Sequence, residues 1–117
     1  MITRKGNTLF LQRVKHARSF WEKSLGLIGV HEVDFDYVLL FHLQKETRRG
    51  ASLHMLFMRM PIDVLFLDAQ KKIVDIATLR PWILNYTPSA PAKWVVELPA
   101  GTIREFIIRV GDGVEWN

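Results

Sequence analysis

The chain has 117 residues, of which 49% are hydrophobic and 24% charged, with a formal net charge of +4 and no cysteine. This length predicts a single domain over residues 1–117, which can bury a core without covalent cross-links. The lack of cysteine excludes disulfides, thiolate metal sites and a thiol nucleophile, and the histidines at 16, 31, 42 and 54 lack the spacing of a helical metal site.

Two further classes of protein are disfavoured by the sequence. No apolar run approaches the roughly 20 residues that a membrane span needs, and the N-terminal stretch lacks the apolar run of a signal peptide. We therefore expect a soluble, cytoplasmic protein that does not bind a membrane. The excess of lysine and arginine can attract nucleic acid, but no DNA- or RNA-reading motif accompanies it, so we interpret it as a solubility charge.

The first elements in chain order are a strand and a helix. Residues 8–14, TLFLQRV, alternate loosely and carry β-favouring residues, which predicts a strand. Residues 16–29, HARSFWEKSLGLIG, change to a helical period that ends at two glycines. Ala17, Phe20, Trp21 and Ser24 fall on one stripe of this predicted helix, and Leu25 and Leu27 extend it.

Strands dominate the rest of the chain. Pro61 interrupts the apolar run, because proline lacks a backbone donor, and residues 79–93 hold three of the five prolines and no clear period. Thr102 and Glu105 have the spacing of a capping box, which predicts a short helical turn. The predicted strands are 37–42, 53–58, 62–68, 71–77 and 93–98, with a last short strand near the C-terminal end. This pattern indicates a mainly β domain, either a sandwich or a distorted barrel.

Four motifs, in this order, resemble the uncharacterised family called domain of unknown function 192 (DUF192). The resemblance covers about residues 17–114 and implies an antiparallel, jelly-roll-like β fold with the N-terminal helix packed on it. It implies no agreed activity. The motifs are Leu25-Gly26-Leu27; Met58, Pro61, Ile62 and Asp63 running into Val64–Asp68; Arg80-Pro81-Trp82; and Glu97, Leu98, Ala100 and Gly101 followed by Gly111 and Asp112.

Asp63 raises the main question about function, because it lies in the apolar stretch HMLFMRMPIDVLFLD. Strand alternation places it with Leu65 and Leu67 on an apolar face, where an unpaired carboxylate is costly. One interpretation is structural: Asp63 accepts hydrogen bonds from the backbone of residues 59–62, or pairs with Arg59 or Arg80. The other is a ligand site where polar strand ends converge at one rim, formed by His54, Asp63, Arg80, Trp82 and Glu97.

The lead hypothesis from the sequence is a non-enzymatic binding or accessory module. Its predicted partner is a small polar molecule such as a saccharide, or a protein segment, and we expect a monomer or weak dimer without metal or cofactor. One alternative is a hydrolase-like enzyme with Asp63 and Glu97 as acid and base, although no nucleophile–base motif accompanies them. Another, less favoured, is a basic nucleic-acid-binding protein.

Overall fold

The computed structural model describes residues 1–17, 35–55 and 58–117, which form two β-sheets. The smaller sheet has the order β1-β2-β8, with β1 at Ile2–Lys5, β2 at Thr8–Leu11 and β8 at Gly113–Trp116. The larger sheet has the order β3-β4-β7-β5-β6, with β3 at Val14–Ala17, β4 at Val38–Thr47, β5 at Ile62–Leu67, β6 at Ile73–Leu79 and β7 at Ala92–Pro99. A 3-10 turn spans Arg49–Ala51, and one helical turn, α1, spans Thr102–Glu105.

The predicted mainly β fold is confirmed, but two details of it are wrong. The described strands do not close into a barrel, and the sheets are mixed rather than antiparallel, because β2–β8 and β3–β4 pair in parallel. Parallel neighbours need a long connection, and β2 and β8 lie near opposite ends of the chain. Sequence patterns report neighbouring hairpins and carry little information about such distant pairing.

Strand β5 is the centre of the hydrophobic core, and all six of its residues are buried. Ile62, Val64 and Phe66 belong to one cluster of buried side chains, and Leu65 and Leu67 belong to a second cluster. The two clusters lie on opposite faces of the larger sheet, as alternation along a strand requires. The prediction that this strand is covered on both faces is therefore confirmed.

Different parts of the chain cover the two faces. The face of Val64 is covered by the connection before β5, with Met55, Met58 and Met60 buried in it. The face of Leu65 is covered by the smaller sheet and by Ile108, and its buried members from outside the larger sheet are Ile2, Leu9, Leu11, Ile108 and Val114. The smaller sheet thus packs on the larger one through this second cluster.

The strand predicted over residues 53–58 is wrong for the residues that the structure describes there. Leu53 forms only an isolated bridge with Tyr86, and Met55 exchanges backbone hydrogen bonds with Trp82 and Ile83 at 2.7 and 2.8 Å. The apolar run reflects methionines that fill the core from an irregular segment, which their flexible side chains permit. By contrast, the strands predicted at 62–68, 71–77 and 93–98 correspond to β5, β6 and β7.

The helix predicted over residues 16–29 is wrong at its start. His16 and Ala17 belong to β3 and pair with Leu40 and Phe41 of β4, while residues 18–29 lie outside the described part of the chain. The described α-helix is α1, near the C-terminal end. Within the described ranges, no helix is long and apolar enough to cross a membrane.

The predicted helical turn at Thr102 is confirmed, but its capping box is not. Gly101, with φ of 96°, is the N-cap residue, and the Thr102 hydroxyl donates to the carbonyl oxygen of Pro99 at 2.6 Å. Glycine suits this position because its backbone adopts left-handed angles at no steric cost. Another residue must therefore accept the free N–H groups at the start of the turn.

An ion pair between Arg4 and Asp112 fixes the segment after α1. The Arg4 guanidinium donates to Asp112 Oδ2 at 2.9 Å and to the carbonyl oxygens of Phe106 and Ile107 at 2.9 and 2.8 Å. The N–H of Arg109 donates to the same carboxylate oxygen at 2.9 Å. Strand β1 is thereby joined to a segment more than 100 residues later in the chain.

We predict that Asp112→Asn lowers the free energy of unfolding at neutral pH by roughly 1.5–3 kcal/mol, the range for hydrogen bonds to a charged group. Burial raises the pKa of Asp112, but hydrogen bonds from Arg4 and Arg109, and their positive charges, lower it below the ordinary value of 3.8. Because the folded-state pKa is the lower one, this stabilisation is present above the unfolded-state pKa and is lost as pH falls through the folded-state pKa.

Urea titrations over a series of pH values measure this effect in the parent protein and the variant. Asp36→Asn is the control, because the ion pair of Asp36 with Arg13 is 63% exposed on both sides, and it should change stability by less than about 0.5 kcal/mol. A difference between Asp112→Asn and the parent that stays constant down to low pH would contradict the assignment.

Candidate functional site

The Asp63 carboxylate is buried, with 1% of the residue exposed, and both of its oxygens accept hydrogen bonds. The Thr78 hydroxyl donates to Oδ1 at 2.7 Å, and the N–H groups of Gly101 and Ile103 donate to Oδ2 at 3.0 and 2.9 Å. Asp63 therefore accepts two of the free N–H groups at the start of α1 and holds this turn against β5. The structural interpretation of Asp63 is supported, but the donors come from the turn after β7, not from residues 59–62.

A shallow cleft of about 300 Å³ adjoins this carboxylate, lined also by Thr78, Gly101, Ile103 and Arg104. Since three donors already bind the two oxygens of Asp63, the carboxylate has little capacity left for a ligand. The main charged group that this cleft presents to a ligand is therefore the exposed guanidinium of Arg104.

The register of the larger sheet separates the two predicted acids. Glu97 of β7 lies opposite Val64, whereas Asp63 lies opposite Leu98, so the two carboxylates project from opposite faces of the sheet. Glu97 is 4% exposed, and its negative charge, after burial, contributes to raising the pKa of Tyr37. The acid–base alternative required both carboxylates in one cleft, and this register removes that cleft.

The other predicted site residues lie on the Glu97 side or at the edge of the sheet. His54 is exposed and precedes Met55, whose carbonyl oxygen accepts a hydrogen bond from the N–H of Trp82, so these two residues belong to neighbouring segments. Trp82 is 56% exposed, and Arg80, just after β6, is exposed. The structure thus brings His54 close to Trp82 and leaves Asp63 on the other face; a shared ligand site of all five residues stays a prediction.

Tyr86 anchors the proline-rich segment that follows Arg80. Its hydroxyl donates to Asp75 Oδ2 at 2.6 Å, and its ring stacks on Phe66 with centroids 5.7 Å apart. Burial, the hydrogen bond to Asp75 and the charge of Asp75 together raise the pKa of Tyr86 to about 12. The N–H of Ser89 donates to the same oxygen at 3.0 Å, so a structural role accounts for Tyr86 and Asp75.

An aromatic cluster of His42, Trp94 and Trp116 lies at one end of the second core. The His42 and Trp94 rings are stacked, with centroids 3.8 Å apart, and the Trp116 ring meets Trp94 edge-on at 4.8 Å. The Lys71 ammonium lies 4.3 Å from the centroid of the Trp116 ring. Burial, and then the charge of Lys93, lower the pKa of His42, which favours the neutral imidazole in this stack.

Beside this cluster, where β2 and β8 end, lies a cleft of about 340 Å³, here called the end cleft. The residues that line it are the aromatic Phe10 and Trp116, the aliphatic Leu11, and the polar Gln12, Glu115 and Asn117. Phe10 pairs with Glu115 and Leu11 with Trp116 in the parallel register, so the first and last strands build the cleft together. None of these residues was among the site residues predicted from the sequence. The feature that could have indicated this cleft is Phe10, an exposed aromatic residue on the outward face of β2.

The Trp94 indole N–H is buried, and no hydrogen-bond partner for it lies among the described residues. In the part of the chain that the structure describes, no three histidine or acidic side chains lie close enough together to hold a metal ion.

The comparisons with known proteins agree with one another. The model of the DUF192 family, described as "Uncharacterized ACR", matches residues 1–116. A UPF0127 protein of Pyrococcus furiosus is 44% identical over 113 residues, and the match covers 97% of this chain and 93% of the relative. A UPF0127 protein of Thermococcus sibiricus is 38% identical over 116 residues, and the match covers 99% of this chain and 73% of the relative. A crystal structure of a protein of unknown function from Novosphingobium aromaticivorans matches with a TM-score of 0.82 at 23% identity, over 98% of this chain and 82% of that one, which shows a shared fold.

We predict that Asp63→Ala lowers the free energy of unfolding by roughly 3–6 kcal/mol, because the N–H groups of Gly101 and Ile103 lose a charged acceptor at about 1.5–3 kcal/mol each. Thr78→Val removes one donor to the same carboxylate and should cost roughly 1.5–3 kcal/mol. Guanidinium titrations measure both variants, with Glu105→Gln, an exposed acid on the same turn, as the control. A loss below about 1 kcal/mol in Asp63→Ala would show that folding does not need this carboxylate.

Proposed function

We propose a function for this chain from the premise that it belongs to the DUF192 family, as its motifs indicated, and that the description of this family names no activity. The chain is a non-enzymatic binding module that holds a small, polar, uncharged molecule, such as a saccharide, in the end cleft. The observation that carries this proposal is the composition of that cleft, whose lining consists of two aromatic, one aliphatic and three polar residues.

The chemistry of the cleft favours a ligand that is polar at its edges and apolar on its faces. Phe10 lies opposite Glu115 and Leu11 opposite Trp116, so the two aromatic side chains leave the smaller sheet on opposite faces, and the C–H face of a sugar ring packs on one of them. Gln12 and Asn117 provide amide donors and acceptors for hydroxyl groups, and Glu115 provides a carboxylate acceptor. A volume of about 340 Å³ is at the small end of the range for ligand pockets, so the ligand has one or two rings.

One further observation favours binding over catalysis. Glu115, the acid of the cleft, is 53% exposed in its side chain and lies 3.9 Å from Lys71. A single exposed carboxylate beside a lysine does not form the acid–base pair that glycoside hydrolysis requires, which favours binding.

Saturation-transfer NMR with a panel of common mono- and disaccharides tests this proposal. We expect at least one sugar to bind with a dissociation constant of about 1 mM or below, which corresponds to roughly 4 kcal/mol of binding free energy. Gln12→Ala should weaken that binding about tenfold, because it removes a hydrogen-bonding amide from the cleft. Gln70→Ala is the matched control, since Gln70 is an exposed glutamine outside the cleft.

Other outcomes separate the alternatives. Binding that is lost in Trp82→Ala but kept in Gln12→Ala would move the site to the segment of His54 and Trp82, as the sequence predicted. A panel without any bound sugar would overturn the proposal for this ligand class. Salt-sensitive binding of a single-stranded oligonucleotide, with no bound sugar, would instead favour the nucleic-acid alternative.

A further inference from the structure

Two large aliphatic side chains project into solvent from the loop between α1 and β8. Ile107 is 65% exposed and Val110 is 58% exposed, while Ile108 between them is buried at 3%. Residues 107–110 are here called the tip. Single exposed apolar residues are common on protein surfaces, but two on one short loop, anchored by a buried neighbour, form a local apolar projection.

The backbone at the tip is fixed rather than adaptable. Arg4 donates to the carbonyl oxygen of Ile107 at 2.8 Å, the N–H of Ile108 donates to Ile103 at 2.9 Å, and the N–H of Gly111 donates to Ile73 at 2.8 Å. Ile107 has φ of 51°, a left-handed conformation that is unfavourable for a β-branched residue. Asparagine or glycine would suit this position better, so neither the backbone nor packing in the core accounts for an isoleucine here.

Positive charge surrounds the tip. Arg109 lies within it, Arg104 precedes it, and Lys72 forms a bridge with Gly113 just after it. All three are exposed, as is Lys5, which pairs with Thr8 at the same end of the smaller sheet. The acids near these cations are Glu105, which is exposed, Asp112, whose charge is balanced by Arg4, and Asp68, whose carboxylate accepts the backbone N–H of Lys72.

We propose that the tip docks on an anionic phospholipid surface, with Ile107 and Val110 entering the interfacial layer and the surrounding cations contacting lipid phosphates. The size of the tip favours a bilayer over a protein partner, because two side chains cannot bury the roughly 1,000 Å² that a stable protein interface needs. Shallow insertion of a few apolar groups combined with basic residues is sufficient for reversible binding to an anionic membrane. This proposal departs from the prediction from the sequence that the protein does not bind a membrane. That prediction rested on the lack of a membrane-spanning segment and of a signal peptide, and surface docking requires neither.

The position of the tip sets the orientation of the docked molecule relative to the lipid surface. Strand β8 begins at Gly113, beside the tip, and ends at Trp116, in the end cleft. A molecule that docks through the tip therefore holds the end cleft at the far end of β8, away from the lipid. The docking proposal stands on its own residues and does not depend on ligand binding in the cleft.

Co-sedimentation with vesicles of phosphatidylcholine, with and without about one third phosphatidylglycerol, tests this proposal. We expect the full chain to bind the anionic vesicles at least tenfold more tightly than the neutral ones, with binding that weakens as salt rises. The double variant Ile107→Asn with Val110→Ser should lose at least tenfold of that binding. It should stay folded, because asparagine tolerates the left-handed backbone at position 107.

Leu84→Ser is the matched control, because Leu84 is 76% exposed and lies outside the tip, and its binding should equal that of the parent. Arg109→Gln should weaken binding to the anionic vesicles and leave the weak binding to neutral vesicles unchanged. Absence of binding to anionic vesicles, or full binding by the tip variant, would overturn the proposal. A concentration-dependent dimer that the tip variant abolishes, without vesicle binding, would assign the tip to contact with a second copy of the chain instead.

Discussion

The Asp63 carboxylate ties together three segments that are far apart in the chain. It lies on β5, and its partners are the hydroxyl of Thr78 on β6 and the N–H groups of Gly101 and Ile103 in the turn after β7. Because β5 lies between β6 and β7, one buried charge fixes the same end of three neighbouring strands. A carboxylate is stable in this apolar place because every donor around it has an acceptor and the charge itself is hydrogen-bonded. At this position Asp63 holds the turn after β7 against β5.

Part of this arrangement could be predicted from the sequence. Alternation along residues 62–68 predicted a strand covered on both faces, and the spacing at Thr102 predicted the helical turn. What accepts the N–H groups of that turn could not be predicted, because the acceptor, Asp63, is some 40 residues away and local capping patterns consider only neighbours. The separation of Asp63 from Glu97 is a matter of register, since a shift of one residue would place both on one face.

The candidate site depends on contacts that a local pattern does not contain. The end cleft exists because β2 pairs in parallel with β8, which brings residues near the two ends of the chain to one place. Trp116 was visible in the sequence as an aromatic residue in a last strand, but its proximity to Phe10 follows from the pairing of β2 with β8, and its contact with Trp94 follows from packing of the two sheets. The Asp63 and Asp112 networks hold the turn and loop before β8, and the residues that line the proposed ligand cleft lie at the far end of this strand.

Native-state amide hydrogen exchange at Gly101 and Ile103 tests the central role of Asp63 most directly. Gly101 is exposed, so its N–H would exchange rapidly unless the carboxylate binds it. We predict that both N–H groups exchange at least a hundredfold more slowly than unstructured amides, and that Asp63→Ala, which removes the acceptor oxygens, abolishes this protection while the central amides of β7 keep theirs. Exchange at the rate of an unprotected loop in the parent protein, or protection that survives in Asp63→Ala, would contradict the claim that this buried carboxylate holds the turn to the sheet.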